Sequence, residues 1–194
     1  MLKKAMFLTL ILLMGVVVSA SAQTTTTAGC TIGVFADEAG TQTVLTPLRD
    51  QGNPYFLIDV YYVIRVEDLV LGAAWYRSVT GFSASTYAID WQSYGTYIDD
   101  RPEGWRIGLG TCQLGYGGAA IPILKETLLM VDDYQGGTGT IEVIPNTLQD
   151  PQGIVSYSDC LGTVKGCPGM GSMTIESVIP TAGSSFGAVK ALFH

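Results

Sequence analysis

In the run PYFLIDVYYVIRV, residues 54–66, Phe56, Ile58, Val60, Tyr62, Ile64 and Val66 fall on one side of an extended chain, while Asp59 and Arg65 fall on the other. One face of such a strand meets a core and the other can meet water. Seven further runs, CTIGVFAD, LVLGAAWYRSV, STYAIDW, GWRIGLGT, TGTIEVIP, GIVSYS and SMTIESVI, are rich in β-branched or aromatic residues and bounded by Gly, Pro, Asn or Asp. Only IPILKETLLMVDD supports two readings. Ile121, Leu124, Leu128 and Val131 would line a helix face, whereas Thr127, Leu129 and Val131 alternate as a strand does. Its β neighbours favour the strand. Many short strands separated by turns predict an all-β fold, an immunoglobulin-like antiparallel β-sandwich of about nine strands.

The first residues, MLKKAMFLTLILLMGVVVSASA, have the composition of an export signal: Lys3 and Lys4, an apolar run, then the small residues Ala20-Ser21-Ala22. The run from Ala5 to Val18 is shorter than the roughly 20 residues that span a bilayer, so cleavage after Ala22 is expected rather than anchoring. The expected organisation is a signal peptide at 1–22, a flexible threonine-rich leader at 23–29, one β-sandwich domain at 30–179, and a hinge and tail at 180–194. A secreted or cell-surface location follows, with no transmembrane segment in the mature chain. Two of the ten basic residues lie in the signal, which leaves eight against seventeen acidic ones and a net charge of −9. That charge disfavours nucleic acid and anionic lipid as partners.

Four cysteines in an exported chain imply two disulfides. Cys160 and Cys167 bracket LGTVKG, a hairpin length, so local pairing of these two is expected, leaving Cys30 with Cys112. A four-cysteine zinc site would show paired CxxC-like spacings, and none occurs.

Catalytic patterns are incomplete. Gly183-Ser184-Ser185-Phe186-Gly187 fits the GxSxG elbow, but no carboxylate lies between Ser185 and His194, the sole histidine, so the serine lacks an oriented base. The glycine-rich loops GLGTCQLGYGG and DDYQGGTG match neither a Walker loop nor a dinucleotide fingerprint, and no cofactor is expected. The acidic pairs Asp37-Glu38, Glu67-Asp68, Asp99-Asp100 and Asp132-Asp133 could gather at one rim, but without a calcium-loop pattern they read as solvated turn acids, and no metal site is expected. Aromatic crowding between Trp75 and Trp105 offers one binding surface. Trp75 and Trp105 alternate with core residues, whereas Trp91, Tyr94 and Tyr97 in DWQSYGTYIDD occupy a polar neighbourhood and form the candidate sugar platform.

TIGVFADEAGTQ, LVLGAAWYRSVTGF, RIGLGTC, LLMVDD and the tail SSFGAVKALF together resemble small secreted bacterial proteins whose domain is a cohesin-like β-sandwich. The resemblance covers most of the mature chain and implies that ILKETLLMV is a strand. It also implies a binding module rather than an enzyme, since cohesins bind dockerins and related sandwiches bind carbohydrate. No recognition residue carries over. The expected partner is an extracellular protein or a glycan, in adhesion or assembly. In the tail, Ser184 or Ser185 can cap a helix whose one side carries Phe186, Val189 and Phe193. Such a helix is too short to persist alone, so the tail either docks on the sandwich or is presented to a sorting or assembly partner.

Overall fold

The computed structural model describes residues 25–47, 55–81, 86–101, 104–131, 137–146 and 153–177. Among them are thirteen strands: β1 (Thr31–Phe35), β2 (Val44–Leu45), β3 (Tyr55–Arg65), β4 (Leu69–Thr80), β5 (Thr86–Ser93), β6 (Thr96–Arg101), β7 (Gly104–Leu114), β8 (Ile121–Val131), β9 (Gly137–Ile144), β10 (Val155–Ser158), β11 (Val164–Cys167), β12 (Gly169–Met170) and β13 (Ser172–Ser177). Each of the nine strands expected from alternation is present, and ILKETLLMV lies within β8. The four additional strands carry weak signals. TYIDDR in β6 is polar, VKGC in β11 is short, and β2 and β12 have two residues each.

Two sheets form a sandwich. The first has the order β12-β1-β3-β8-β5. The second is built on β4, with β7 along one side and, on the other, β10 beside Gly72–Ala74 and β9 beside Tyr76–Thr80. It continues through β9 to β13 and β2, through β10 to β11, and through β7 to β6. Pairing is antiparallel except at β1–β12 and β13–β2. The predicted inward residues of β3 are all buried, facing Trp75, Trp105, Ile107, Ile141 and Tyr157 of the second sheet.

A charged group lies inside this core. Arg77 on β4 reaches Glu126 on β8, and the Tyr62 hydroxyl donates to the other carboxylate oxygen at 2.8 Å. Glu126 is fully buried, so its charge is tolerable only because both oxygens are bonded. Burial, followed by the negative charge of Glu126, pushes the Tyr62 phenol well above its ordinary range. Burial would lower Arg77, but the Tyr62 and Glu126 oxygens around it outweigh that and hold it above its usual value.

The disulfides are Cys30–Cys167 and Cys112–Cys160, which corrects the expected pairings. The chain just before Cys30 lies along β11 in the second sheet, and the chain just after it, β1, pairs with β12 in the first. The segments containing Cys30 and Cys167 therefore cross between the sheets side by side, with Cα atoms 4.9 Å apart. Sequence proximity favoured Cys160 with Cys167, but β10 and β11 pair as a hairpin with Cys160 at its turn and Cys167 at its far end. Within the segment read as a leader, Thr25 and Thr27 exchange backbone hydrogen bonds with Gly166. Residues 1–24 and 178–194, including the signal, the GxSxG serine and the tail, lie outside the described residues.

Candidate functional site: a small-residue groove

Alternation on β4 sends Ala73 and Trp75 inward, which leaves Gly72 and Ala74 facing out. The same rule turns Arg106 and Gly108 outward on β7, and Ser156 and Ser158 outward on β10. Register then aligns them. One row runs across five strands as Thr96, Gly108, Gly72, Ser158 and Val164, and a second runs Arg106, Ala74, Ser156 and Gly166. Because the middle of each row is small, the outer face sinks into a groove of about 760 Å³, also lined by Leu71 and Gly110. Thr96 and Val164 flank the floor. A Cβ added at Gly72 would stand 2.6 Å from the Ile107 carbonyl oxygen and 3.3 Å from Ser158 Oγ, so this position requires glycine.

At one end the groove meets the Cys112–Cys160 disulfide, which ties β7 to the β10–β11 turn. Three apolar side chains project nearby, with exposures of 91% for Leu161, 64% for Leu114 and 57% for Val164. An ionic cluster ties β11 to the start of β4 on the inward side of these strands. Lys165 Nζ donates to Asp68 at 2.6 Å and to Asp159 at 3.0 Å, and the Tyr157 hydroxyl donates to Asp68 at 2.8 Å. Asp159 also accepts from the backbone N–H groups of Leu161 and Thr163. The Lys165 hydrogen bond is the main cause that holds both Asp68 and Asp159 below the usual carboxylate range. Those two carboxylates in turn push the Lys165 ammonium up.

The three aromatic residues of the expected sugar platform have different surroundings. Trp91 is 41% exposed. It sits opposite buried Glu126 on β8 and packs edge-on against Trp105, with ring centroids 5.7 Å apart, at the open side between the sheets. Tyr94 is half-buried after β5, and burial followed by the negative charge of the Glu38 carboxylate pushes it up to about 12. Tyr61 is also beside it. Tyr97 pairs through its backbone with Ile107 on β7, and its side chain is outside the described residues. Trp91 thus touches Trp105 while staying exposed on the edge strand β5, whereas Tyr94 lies with Glu38 and Tyr61.

Turn acids account for two of the acidic pairs. Asp37 accepts from Thr41 N, Thr41 Oγ1 and Gln42 N at 2.6–2.8 Å, closing the turn after β1. Glu67 accepts from Gly117 N at 3.1 Å, beside the Asp68 cluster. The Asp99 and Asp100 side chains and the pair Asp132-Asp133 are outside the described residues. No group of three or more His, Cys, Asp or Glu side chains is placed to hold a metal among the described residues. No helix there is long and apolar enough to cross a membrane.

Sequence reasoning missed the groove. Its signal, small residues at every second position of LGAA, RIGLG and VSYS, becomes readable only once the three strands are known to be neighbours in this register.

No protein-family model matches the chain, and no curated protein matches it. Solved structures similar to it include cohesin domains. The non-cellulosomal cohesin of the hyperthermophilic archaeon Archaeoglobus fulgidus is 11% identical, covering 85% of this chain and 99% of that one, with a TM-score of 0.45. The seventh ScaB type I cohesin of Pseudobacteroides cellulosolvens is 10% identical over 78% of this chain and 95% of its own, also at 0.45. A bacterial hydrophobin, BslA, is 14% identical over 77% of this chain and 93% of its own, at 0.34. At these scores the likeness carries no functional weight.

Proposed function

We propose that this chain is an exported, non-catalytic β-sandwich module for adhesion or assembly, and that it binds an extracellular protein through the outer groove of the second sheet. The groove is the observation that carries the reading. Its volume falls in the range of ligand sites, and its lining is mostly apolar, with Ser156, Ser158 and Arg106 as polar points. A floor without stacking rings suits a packed polypeptide better than a pyranose. Two disulfides fit an oxidising compartment outside the cytoplasm. A photo-cross-linking residue placed at position 158 tests the reading in the producing cell. A discrete protein adduct that disappears when Val164→Arg is added supports it. Absence of any protein adduct overturns it.

Carbohydrate binding is the second reading, supported by the partial exposure of Trp91 and by Tyr94 lying beside Tyr61. Glycan-array binding that disappears in Trp91→Ala or Tyr94→Ala would move it to first place.

A further inference from the structure

We propose that the Cys112–Cys160 disulfide is a thiol-exchange site, and that its opening by a small thiol loosens the end of the groove while the rest of the sandwich stays folded. The proposal rests on reading the groove as a protein-binding surface and supplies its regulation. The two disulfides differ in what a thiol can reach. Cys30 and Cys167 are 1% and 0% exposed at the crossing between the sheets, so their bond is attacked only after the sheets part. Cys112 is exposed and Cys160 half-buried, and their bond joins β7, just past the groove residue Gly110, to the β10–β11 turn. Exposed disulfides are the labile ones, because exchange needs a thiolate to approach one of the two sulfurs.

Register makes the consequence of exchange local. Gln113 pairs with Val70 and Gly108 with Gly72, so residues 109–112 of β7 stand opposite Leu71 alone and bulge from the ladder. Gly110, in this bulge at φ +72°, and Leu71 opposite it both line the groove. The turn at the other end of the bond is closed by its own contacts. Asp159 N donates to the Thr163 carbonyl oxygen at 2.9 Å and Gly162 N to that of Asp159 at 3.0 Å, while the Asp159 carboxylate accepts from Leu161 N, Thr163 N and Lys165 Nζ. Breaking the disulfide therefore frees the bulge and leaves the turn in place. Cys112, the more exposed partner, takes the attack. A thiolate bonds to Cys112 Sγ, the S–S bond breaks, and the electron pair leaves on Cys160 Sγ, which takes a proton from water. A second thiol then attacks the mixed disulfide, so that two thiols are oxidised to one external disulfide while the protein gains two electrons and two protons.

The test uses the intact chain under native conditions, incubated with reduced glutathione, trapped at intervals with N-ethylmaleimide and mapped by mass spectrometry. Cys112 and Cys160 should react roughly a thousandfold faster than Cys30 and Cys167, which are reached only through unfolding. The glutathione mixed disulfide should sit on Cys112. In the reduced protein, hydrogen exchange should quicken at residues 109–112 and stay slow at 159–163. These two measurements need no variant to fold. In the producing cell, Cys112→Ser with Cys160→Ser should lower the protein adduct from position 158 by about fivefold or more, since the bulge must then be ordered on binding. Equal rates for the two bonds, attack mapped to Cys160, or unchanged exchange at 109–112 after reduction would each overturn the proposal. An adduct undiminished in the double variant overturns the regulation and leaves the groove reading standing. If no adduct forms in either chain, the groove reading falls, and selective attack at Cys112 still establishes the exchange site.

Discussion

The two outer faces of the sandwich are furnished in opposite ways. On the first sheet, Lys125 bridges to Asp59 at 2.7 Å, Thr127 donates to the same carboxylate at 2.6 Å, and the Lys125 ammonium lies 5.9 Å from the centre of the Tyr61 ring. On the second, glycine, alanine and serine leave the backbone close to the surface. The long side chains of the first face satisfy one another, although Leu57 on the same face is 57% exposed. A face of short side chains leaves a concave, mostly apolar lining whose floor residues, such as Ala74 and Ser156, are themselves buried.

The interior common to both faces should give the largest effect. Arg77→Met leaves the Glu126 carboxylate buried without its cation and should cost about 3–5 kcal/mol in urea unfolding. Adding Glu126→Leu should recover most of that loss, and failure to do so would mean that the charge is not what the arginine answers. Next is Cys30→Ser with Cys167→Ser, which should cost about 2–5 kcal/mol because this bond closes the longer loop, a separation of 137 residues against 48 for the other.

At the end of the groove, Lys165→Met should lower stability at pH 7. Asp68 and Asp159 have folded values below the unfolded one, so their contribution is present above about pH 4 and fades as pH falls through the folded values. Lys165 is shifted upward, so its contribution is present below its unfolded value near 10.5 and is lost only at higher pH. The gap between variant and wild type should therefore be level from about pH 5 to pH 9 and narrow steadily as the pH falls below about 4. A gap that persists in acid would point to lost packing instead.

The smallest effect sharpens the contrast between faces. Lys125→Ala breaks a solvent-screened pair and should cost under about 1 kcal/mol. It should also leave the protein adduct cross-linked from position 158 unchanged, while Val164→Arg abolishes it. Equal effects of the two on the adduct would erase the distinction between the faces.

The aromatic and cysteine residues show where sequence reading stopped. Trp75 and Trp105 were legible as core because each alternates with aliphatic neighbours along its own strand. Trp91 is 41% exposed, as its polar neighbourhood suggested, but its contact with Trp105 was not legible, because it depends on the opposite sheet and on a bulge between Ala88 and Asp90 that resets the alternation just before it. Nothing within LKETLL marks Glu126 as buried. Its burial is tolerable only because Arg77, 49 positions away, arrives from the opposite sheet.

Alternation along single strands determined, from the sequence alone, that this chain builds β-sheets with one apolar face, because side-chain direction in an extended chain depends only on parity. Which strands became neighbours, which cysteines met at the crossing between sheets, and which small residues lined up into a groove were decided by tertiary structure. Those outcomes depend on contacts between distant segments, and no local pattern encodes their register.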